Sequence, residues 1–194
     1  DSAYAHSKRD YIIAAVTFAS VAICMAFEVG GSVGKQYALG FIALVCLILF
    51  LRGETRDVRL QVAVAVAFTT IGEYVASVCM GGYTYRFDNV PAYVPLGHGM
   101  VYLTSIALAR SGLFVKYARV IATTVVVVCG AWSLWGISGI PEQGDVGGAV
   151  LFSVFLICLF RGRSPLVYLA AFFITTWLEI LGTAAGAWKW ALVD

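Results

Sequence analysis

Residues 60–82 read LQVAVAVAFTTIGEYVASVCMGG, and this stretch gives the strongest indication of the fold class. The run is long enough to cross the apolar core of a bilayer as one helix, which takes about 20 residues. It contains a single acid, Glu73, and an ionisable side chain inside a membrane span points to function. Six further apolar runs lie at about 11–29, 36–52, 93–110, 117–138, 145–160 and 165–187. The sequence therefore predicts an all-α, polytopic membrane protein with seven transmembrane helices.

The composition agrees with this prediction. Of the 194 residues, 61% are hydrophobic and only 12% are charged. Soluble domains are about half apolar and about a quarter charged, so the numbers speak against a soluble protein and exclude a disordered one. The net charge of +2 gives no reason to expect a nucleic-acid partner. We expect one transmembrane domain over residues 1–194, with no separate soluble domain.

The basic residues lie mostly on one side of the predicted spans. Three of them fall on the other side, namely Lys35, Arg86 and Lys189. The ten at the N-terminus and in the even-numbered loops are Lys8, Arg9, Arg52, Arg56, Arg59, Arg110, Lys116, Arg119, Arg161 and Arg163. The positive-inside rule then predicts a cytoplasmic N-terminus, in the plasma membrane of a prokaryote. An aromatic belt is expected on the outer face from Tyr83, Tyr85, Tyr93, Trp188 and Trp190.

Two segments of the chain resemble each other. Residues 47–85 and 156–190 each run from a Leu/Phe-rich helix end and Arg-Gly to Thr-Thr-x-x-Glu, then through small residues to aromatic-x-aromatic. Glu73 and Glu179 occupy the same place in the two copies. This predicts pseudo-repeats at about 11–85 and 117–190, joined by a linker helix at about 93–110. Because the offset of four helices is even, the two halves point the same way, in a 3+1+3 parallel-repeat arrangement.

Glu73 and Glu179 are the predicted catalytic pair. Residues four apart share one face of a helix, and each acid has a hydroxyl residue four positions before it and another four after it. These candidate substrate-binding residues are Thr69, Ser77, Thr175 and Thr183. Stripes of this kind are expected to face a cavity or each other rather than lipid.

Other polar and aromatic residues are further candidates for substrate binding. His98 lies in Pro-Leu-Gly-His-Gly, where glycines leave room for a ligand, although a packing histidine is the alternative interpretation. Glu28 lies near the outer end of the first helix, where an interfacial carboxylate is the alternative. Aromatic faces stabilise cations, and the candidates for this role, which otherwise serve packing, are Tyr74, Trp177, Trp132 and Trp135.

The acid pair indicates proton chemistry. Two carboxyl groups in an apolar cavity are hard to ionise together, so one is expected to donate a proton while the other stabilises positive charge or accepts a proton. The sequence contains no phosphate loop, no Asp-rich diphosphate motif and no multi-histidine metal pattern, so we expect neither a metal nor a cofactor. Carbocation chemistry that begins with protonation stays open.

Seven short spans with single acids in the third and seventh resemble the integral-membrane terpene cyclases of fungal and bacterial meroterpenoid pathways. The resemblance implies a metal-independent cyclase that protonates an epoxide or alkene of a prenyl chain through Glu73 and Glu179, although those enzymes have Asp in the seventh helix. A fainter similarity is to carotenoid hydratase membrane proteins. It rests on Glu73, on Gly-Tyr-x-Tyr at 82–85, and on Val90-Pro91 followed by Val94-Pro95-Leu96.

The leading hypothesis is therefore an enzyme that takes a lipophilic, isoprenoid substrate from the membrane lipid and cyclises or hydrates it. A small 3+1+3 proton-coupled transporter is the alternative, but the Pro-Gln signature of such carriers is absent. An accessory subunit of a larger membrane complex is a third hypothesis, which would require an apolar face rich in small residues. An enzyme for lipids is expected to open sideways to the bilayer, whereas a carrier opens to water. The sequence makes no prediction of oligomeric state.

Overall fold

The computed structural model describes residues 8–140 and 144–191, and this part of the chain is almost entirely helical. It contains seven helices, two short strands and a six-residue π-helical segment that continues the third helix. The helices are α1 (Lys8–Glu28), α2 (Val33–Leu51), α3 (Arg56–Glu73), α4 (Tyr93–Ala109), α5 (Gly112–Gly136), α6 (Val146–Arg161) and α7 (Pro165–Ala184). The π-helical segment is Tyr74–Cys79, and the strands are β1 (Tyr83–Tyr85) and β2 (Trp188–Trp190).

Five of the described helices are long and apolar enough to cross a membrane, namely α1, α2, α3 with its π-helical extension, α5 and α7. The helices α4 and α6 are shorter, with 17 and 16 residues. Large apolar side chains cover the outside of the bundle, for example Phe68 and Phe41, which are 76% and 68% exposed. The predicted all-α fold with several helices able to cross a membrane is confirmed, and the helices lie within a few residues of the predicted runs.

Local sequence signals explain where several helices begin. The side chains of Ser32, Thr55 and Asp145 accept hydrogen bonds from backbone N–H groups in the first turns of α2, α3 and α6. Such caps satisfy N–H groups that have no partner inside the helix. Helix α7 begins at Pro165, where the missing N–H costs nothing and the fixed φ already suits a helix.

Helix α4, predicted as a linker, is the central helix of the bundle. It packs against α1, α2, α3, α5 and α7, and ten of its 17 residues are buried. A helix that is apolar all round is buried rather than amphipathic. Small residues let the neighbours come close, since a Cβ at Gly99 would lie 2.7 Å from the Val66 side chain and 2.9 Å from Leu47.

A cluster of charges ties one end of the bundle together, which we call the charged end. The Arg110 guanidinium, just after α4, binds both Glu54 of the α2–α3 loop and Asp10 of α1 at 2.6 Å. Arg9 binds Glu54 at 2.7 Å. Burial raises the pKa of Glu54, but the hydrogen bonds and charges of Arg110 and Arg9 outweigh it and hold the pKa below its ordinary 4.5. The hydrogen bond to Glu54 raises the pKa of Arg110.

The opposite end, which we call the strand end, carries the two-stranded sheet. Strands β1 and β2 pair antiparallel, with Tyr83 opposite Trp190 and Tyr85 opposite Trp188. Each strand is reached through a left-handed glycine two residues earlier, Gly81 and Gly186, both with φ of 64°. This conformation is costly for any residue with a Cβ. The aromatic-x-aromatic ends of the two similar segments therefore meet each other in space.

Candidate functional site

A single apolar cavity of about 780 Å³ brings the two predicted catalytic acids together. Glu73 and Glu179 both line it, and so does His98 from α4. The rest of its wall consists mainly of apolar side chains from α1, α2, α4 and α7, closed at the strand end by the aromatic residues of β1 and β2. A cavity of this size is typical of a small-molecule site when it is mainly apolar and contains a few convergent polar groups, as this one does.

Three side chains surround the carboxyl group of Glu73. The hydroxyls of Tyr83 and Tyr85 both donate to Glu73 Oε2, the Tyr85 bond being 2.6 Å long. The other oxygen, Oε1, lies 3.3 Å from His98 Nε2. Burial, and after it the hydrogen bond to Glu73, raises the pKa of each of these strand phenols above its ordinary value of 10.0. Both phenols therefore stay protonated and act as donors at neutral pH.

The ring of His98 links α4 to the carboxyl group of Glu73. His98 Nδ1 lies 2.9 Å from the carbonyl oxygen of Val94. A carbonyl can only accept, so Nδ1 carries hydrogen and Nε2 of a neutral ring carries a lone pair. That lone pair faces Glu73 Oε1 at 3.3 Å, a geometry in which an imidazole and a carboxyl group can share a proton. We call these two residues the Glu73–His98 pair.

A change of helical geometry begins directly after Glu73. From Tyr74 to Cys79 the chain is π-helical, and the Met80 N–H bonds to the Val75 carbonyl five residues back, at 2.9 Å. Such segments are rare and are frequent at functional sites. Ser77 lies within this wider turn, so its angular position relative to Glu73 differs from that in an α-helix, and it does not line the cavity.

Glu179 is held by indoles instead of phenols. Trp188 Nε1 donates to Glu179 Oε1 at 3.2 Å, and Trp190 Nε1 donates to the same oxygen. An indole N–H is a donor only, so this oxygen accepts two hydrogen bonds. Within residues 8–140 and 144–191, no titratable side chain is hydrogen-bonded to Glu179.

The strand pairing connects the two acids through four aromatic rings. The ring centroids of Tyr83 and Trp190 lie 5.2 Å apart, and those of Tyr85 and Trp188 lie 6.1 Å apart. These distances are typical of favourable aromatic contacts. The sheet therefore holds the Glu73 and Glu179 carboxyl groups on one rigid aromatic frame at the strand end of the cavity.

The predicted hydroxyl residues take less part in the site than the acids do. Thr175 lines the cavity. However, the hydroxyls of Thr69, Thr175 and Thr183 donate to backbone carbonyls one turn earlier in their own helices, at 2.7 to 2.8 Å. Such bonds satisfy a hydroxyl in an apolar setting. The carboxyl groups therefore accept their hydrogen bonds from the aromatic residues instead.

The four predicted cation-stabilising aromatic residues do not line this cavity. Trp132 and Trp135 of α5 pack against each other on the outer surface, where they are 64% and 45% exposed. Tyr74 is half-exposed, because the chain turns away from the cavity after Glu73. Trp177 Nε1 donates to the Phe18 carbonyl at 3.0 Å, so it joins α7 to α1.

Glu28 also lies outside the cavity lining, but it is not at an exposed interface. Its side chain is fully buried at the end of α1. Gln36 Nε2 donates to Glu28 Oε1 at 2.9 Å, and Asn89 Nδ2 donates to Gln36 Oε1 at 3.0 Å. Glu28 thus belongs to a second polar cluster at the strand end.

Five aromatic residues were predicted as an outer belt, including the four that bind the acids, and three of the five are instead buried. Tyr85, Tyr93 and Trp188 are only 6%, 6% and 8% exposed. A belt residue is expected to lie among lipid headgroups, whereas these rings fold over the cavity. The sequence did contain a signal that these aromatic residues lie near the acids, namely their spacing. Each aromatic-x-aromatic motif starts nine or ten residues after its glutamate.

Among residues 8–140 and 144–191, no group of three or more His, Cys, Asp or Glu side chains is placed to hold a metal ion. The polar groups that meet at the two acids are carboxyl, imidazole, phenol and indole groups. Comparisons of the chain with protein-family models, with curated proteins and with solved structures give no match.

Proposed function

We propose that this protein is a membrane enzyme that protonates a lipophilic isoprenoid and so drives its cyclisation or hydration through a carbocation. One observation carries the proposal: the Glu73–His98 pair, with a carboxyl oxygen and an imidazole nitrogen 3.3 Å apart, lines an apolar cavity that Glu179 also lines. An acid in an apolar site can protonate a weakly basic alkene or epoxide, because little water competes there for the proton.

The proposed reaction begins at Glu73. The carboxyl proton is transferred to the substrate, a C–H bond forms at one alkene carbon, and the adjacent carbon becomes cationic. His98 and the two phenols at Oε2 then hold the carboxylate that is left, since hydrogen bonds to the charged form stabilise it. Glu73 is the catalytic acid in this proposal, and His98, Tyr83 and Tyr85 position it.

Glu179 has the complementary role. Its two indole donors favour a carboxylate, and a negative charge beside an apolar cavity stabilises a cation strongly. The rings of Tyr83, Tyr85, Trp188 and Trp190 line the same cavity and present π faces to a carbocation. The cation ends by losing a proton, by attack of an internal alkene or by attack of water.

The cavity walls support lateral access of a lipid. Ile23 and Phe27 of α1 and Ile42 of α2 line the cavity and are also 56% to 59% exposed on the outside of the bundle. A substrate dissolved in the bilayer can therefore pass between these two helices. This favours the enzyme over a proton-coupled carrier, whose site opens to water on alternate faces.

The proposal includes a membrane arrangement. Seven spans with 3+1+3 parallel repeats and a cytoplasmic N-terminus, in a prokaryotic plasma membrane, agree with the charge bias of the loops. The strand end would then face outward. Support for the repeat comes from the two matching helix ends, each with a glutamate, a left-handed glycine and an aromatic-x-aromatic strand. No metal takes part in the proposed steps.

The proposal is tested by isotope labelling. Purified protein in proteoliposomes is incubated in deuterated water with geranylgeraniol, squalene or lycopene, and lipid extracts are analysed by mass spectrometry. We expect one carbon-bound deuterium per product molecule, because the acid exchanges its proton with the solvent. The double variant Glu73→Gln, Glu179→Gln is expected to give no labelled product and to retain substrate through purification.

Asp57→Asn is the matched control, since it neutralises an exposed acid at the far end of the same helix, α3. The control is expected to label its product like the wild type. Unlabelled substrates and only phospholipid in every extract would overturn the proposal. Proton flux across liposomes that depends on Glu73 would then favour the carrier.

A further inference from the structure

A lysine lies at the opening of the apolar cavity between α1 and α2. Lys35, the third residue of α2, is exposed on the outside of the bundle and also forms part of the cavity wall. Ile23, Phe27 and Ile42, which line the same opening, are exposed as well. Among the described residues of the wall, Lys35 is the only lysine or arginine. The opening therefore combines apolar side chains with a single ammonium group.

This lysine begins the face of α2 that forms the cavity wall. The wall residues of α2 recur at positions i, i+3, i+4, i+7, i+8 and i+11, which is the pattern of one helix face. They are Lys35, Ala38, Leu39, Ile42, Ala43 and Cys46. At a rise of about 1.5 Å per residue, this stripe is about 16 Å long. The wall therefore has a cation at the strand end and an apolar surface along the rest of its length.

Within residues 8–140 and 144–191, no acid forms an ion pair with Lys35. The first turn of α2 contains no acid either. The two carboxyl groups of the cavity have other partners, since Glu73 contacts two phenols and an imidazole and Glu179 contacts two indoles. The ammonium of Lys35 is therefore available to an anion at the opening through which a lipid is proposed to enter.

We infer that Lys35 binds an anionic head group of the substrate, while the prenyl chain of that substrate lies in the cavity. The inference rests on the proposed function and names its substrate class, an isoprenoid with a terminal phosphate or carboxylate. Lysine is a compact charge with three N–H donors, so it binds either anion. A carboxylate at Glu73 or Glu179 repels the same head group, so the uncharged chain enters the cavity and the head stays at its opening.

Holding the head group also fixes the position of the chain. A prenyl chain contains several alkenes of similar reactivity, and the one that faces Glu73 receives the proton. When the head is bound at Lys35, the same alkene faces Glu73 in every binding event, because a positioned reactant has few alternative orientations. Lys35 is thus a specificity-determining residue and takes no part in the proton transfer.

The first test measures binding, which needs no turnover. Trp188 and Trp190 line the cavity, so quenching of tryptophan fluorescence reports ligand binding to the protein in phosphatidylcholine nanodiscs. Geranylgeranyl phosphate, geranylgeranoic acid and geranylgeraniol share one chain and differ in the head group. We expect the wild type to bind both anions at least about 10-fold more tightly than the alcohol, because hydrogen bonds to charged groups are the stronger ones.

Three variants locate this preference. Lys35→Met keeps an unbranched apolar side chain and removes the ammonium, so the anions are expected to bind no better than the alcohol. Lys35→Arg keeps the charge and is expected to retain the preference. Lys189→Met is the matched control for positive charge at the strand end. Lys189 lines a polar hollow on the other face of the two-stranded sheet and does not line the cavity, so its loss is expected to leave the preference unchanged.

Several outcomes of the binding test would overturn the inference. Equal binding of all three ligands by the wild type would remove the substrate class, and a preference that survives in Lys35→Met would remove the role of Lys35. Competition by inorganic phosphate at the concentration of the ester would indicate a site for free phosphate. Phosphatidic acid that binds as tightly as the prenyl phosphate would indicate an ordinary lipid site. The proposed function survives each of these results, since it depends on the deuterium label.

The position of the label gives a second readout. In deuterated water, the wild type is expected to place deuterium from solvent on one carbon of geranylgeranyl phosphate, and Lys35→Met on several carbons at a lower rate. Fragmentation in the mass spectrometer locates the label. One and the same labelled carbon in both proteins would overturn the positioning role. An intact preference for the anions without any label would instead overturn the proposed function and leave Lys35 as a head-group site.

Discussion

The surroundings of Glu73 and Glu179 share one plan and differ in one chemical respect. Each acid lies near the end of a helix and receives two hydrogen bonds on one oxygen from the two aromatic residues of the strand that follows. Around Glu73 the donors are phenols, and an imidazole reaches the other oxygen. Around Glu179 the donors are indoles, which do not exchange roles.

Under the proposed function, this difference assigns different roles to the two acids. A carboxyl group beside an imidazole has a partner with which it can exchange a proton. Among the described residues, the carboxyl group of Glu179 accepts only from indole N–H groups, so charge stabilisation is the role proposed for it. The comparison teaches that one local arrangement can be adapted to two tasks through its hydrogen-bond donors alone.

The largest expected effect comes from replacing the two acids themselves, one at a time. Glu73→Gln removes the transferable proton and is expected to lower turnover by about 1,000-fold or more. Glu179→Gln keeps an oxygen for both indoles and removes only charge, so a loss of about 10- to 100-fold is expected, or about 1.4–2.8 kcal/mol of barrier. Initial rates of deuterium incorporation measure both. Equal losses in the two variants would contradict the division of roles.

A substitution that alters only packing tests how the indoles around Glu179 are held, without replacing any polar side chain. A Cβ at Gly182 would lie 1.7 Å from the Trp188 ring, whereas a Cβ at Gly72 meets nothing within 4 Å. Gly182→Ala is expected to destabilise the protein by about 3 kcal/mol, because the ring must move and its bond to Glu179 is lost. Gly72→Ala, one residue before Glu73, is the matched control and is expected to cost nothing.

Thermal unfolding in detergent, followed by tryptophan fluorescence, compares these two alanine variants. The Gly182→Ala protein is expected to melt earlier and to show a changed emission, since Trp188 leaves its buried contact. Identical melting curves would mean that the indole frame does not depend on this close approach.

The smallest expected effect concerns a carboxylate that serves structure rather than chemistry. The folded-state pKa of Glu54 lies below its ordinary 4.5. Its stabilising contribution is therefore complete above about pH 4.5 and is lost as the pH falls through the lower folded-state value. We expect constant stability from pH 7 to 5 and a decrease of about 1–2 kcal/mol below pH 4.

Melting temperatures measured across pH for wild type and Glu54→Gln check this. The variant is expected to be less stable at pH 7 and to depend less on pH below 4.5. Activity changes above pH 5 can then be distinguished from unfolding. A wild-type protein that loses stability already at pH 6 would contradict the assignment.

Much of this architecture could be predicted from local patterns. Apolar runs bounded by basic residues predicted seven helices, because the bilayer sets both their length and their composition. The matched Thr-Thr-x-x-Glu segments predicted the two acids, and His98 followed from its glycine-rich surroundings. These signals are contained in windows of about 20 residues, the length of one span.

The errors come from contacts between distant residues. Tyr83 and Trp190 are far apart in sequence, so their pairing could not be inferred from either motif alone. Trp132 and Trp135 have the right chemistry but lie on an outward face of α5. Helix α4 was expected to join the two similar segments, and its central position became visible only in its packing against α1, α2, α3, α5 and α7.

The sequence by itself determined the all-helical fold class, the approximate bounds of the helices and the presence of one glutamate in each of the third and seventh, because crossing a bilayer constrains both the length and the composition of a helix. Only the tertiary structure decided what those acids can do. The side chains that contact their carboxyl groups come from two strands and from α4. The cavity that the two acids share exists only when α1, α2, α4 and α7 pack together. Chemical role depends on which groups meet in space, and the pairing of β1 with β2 decides that here.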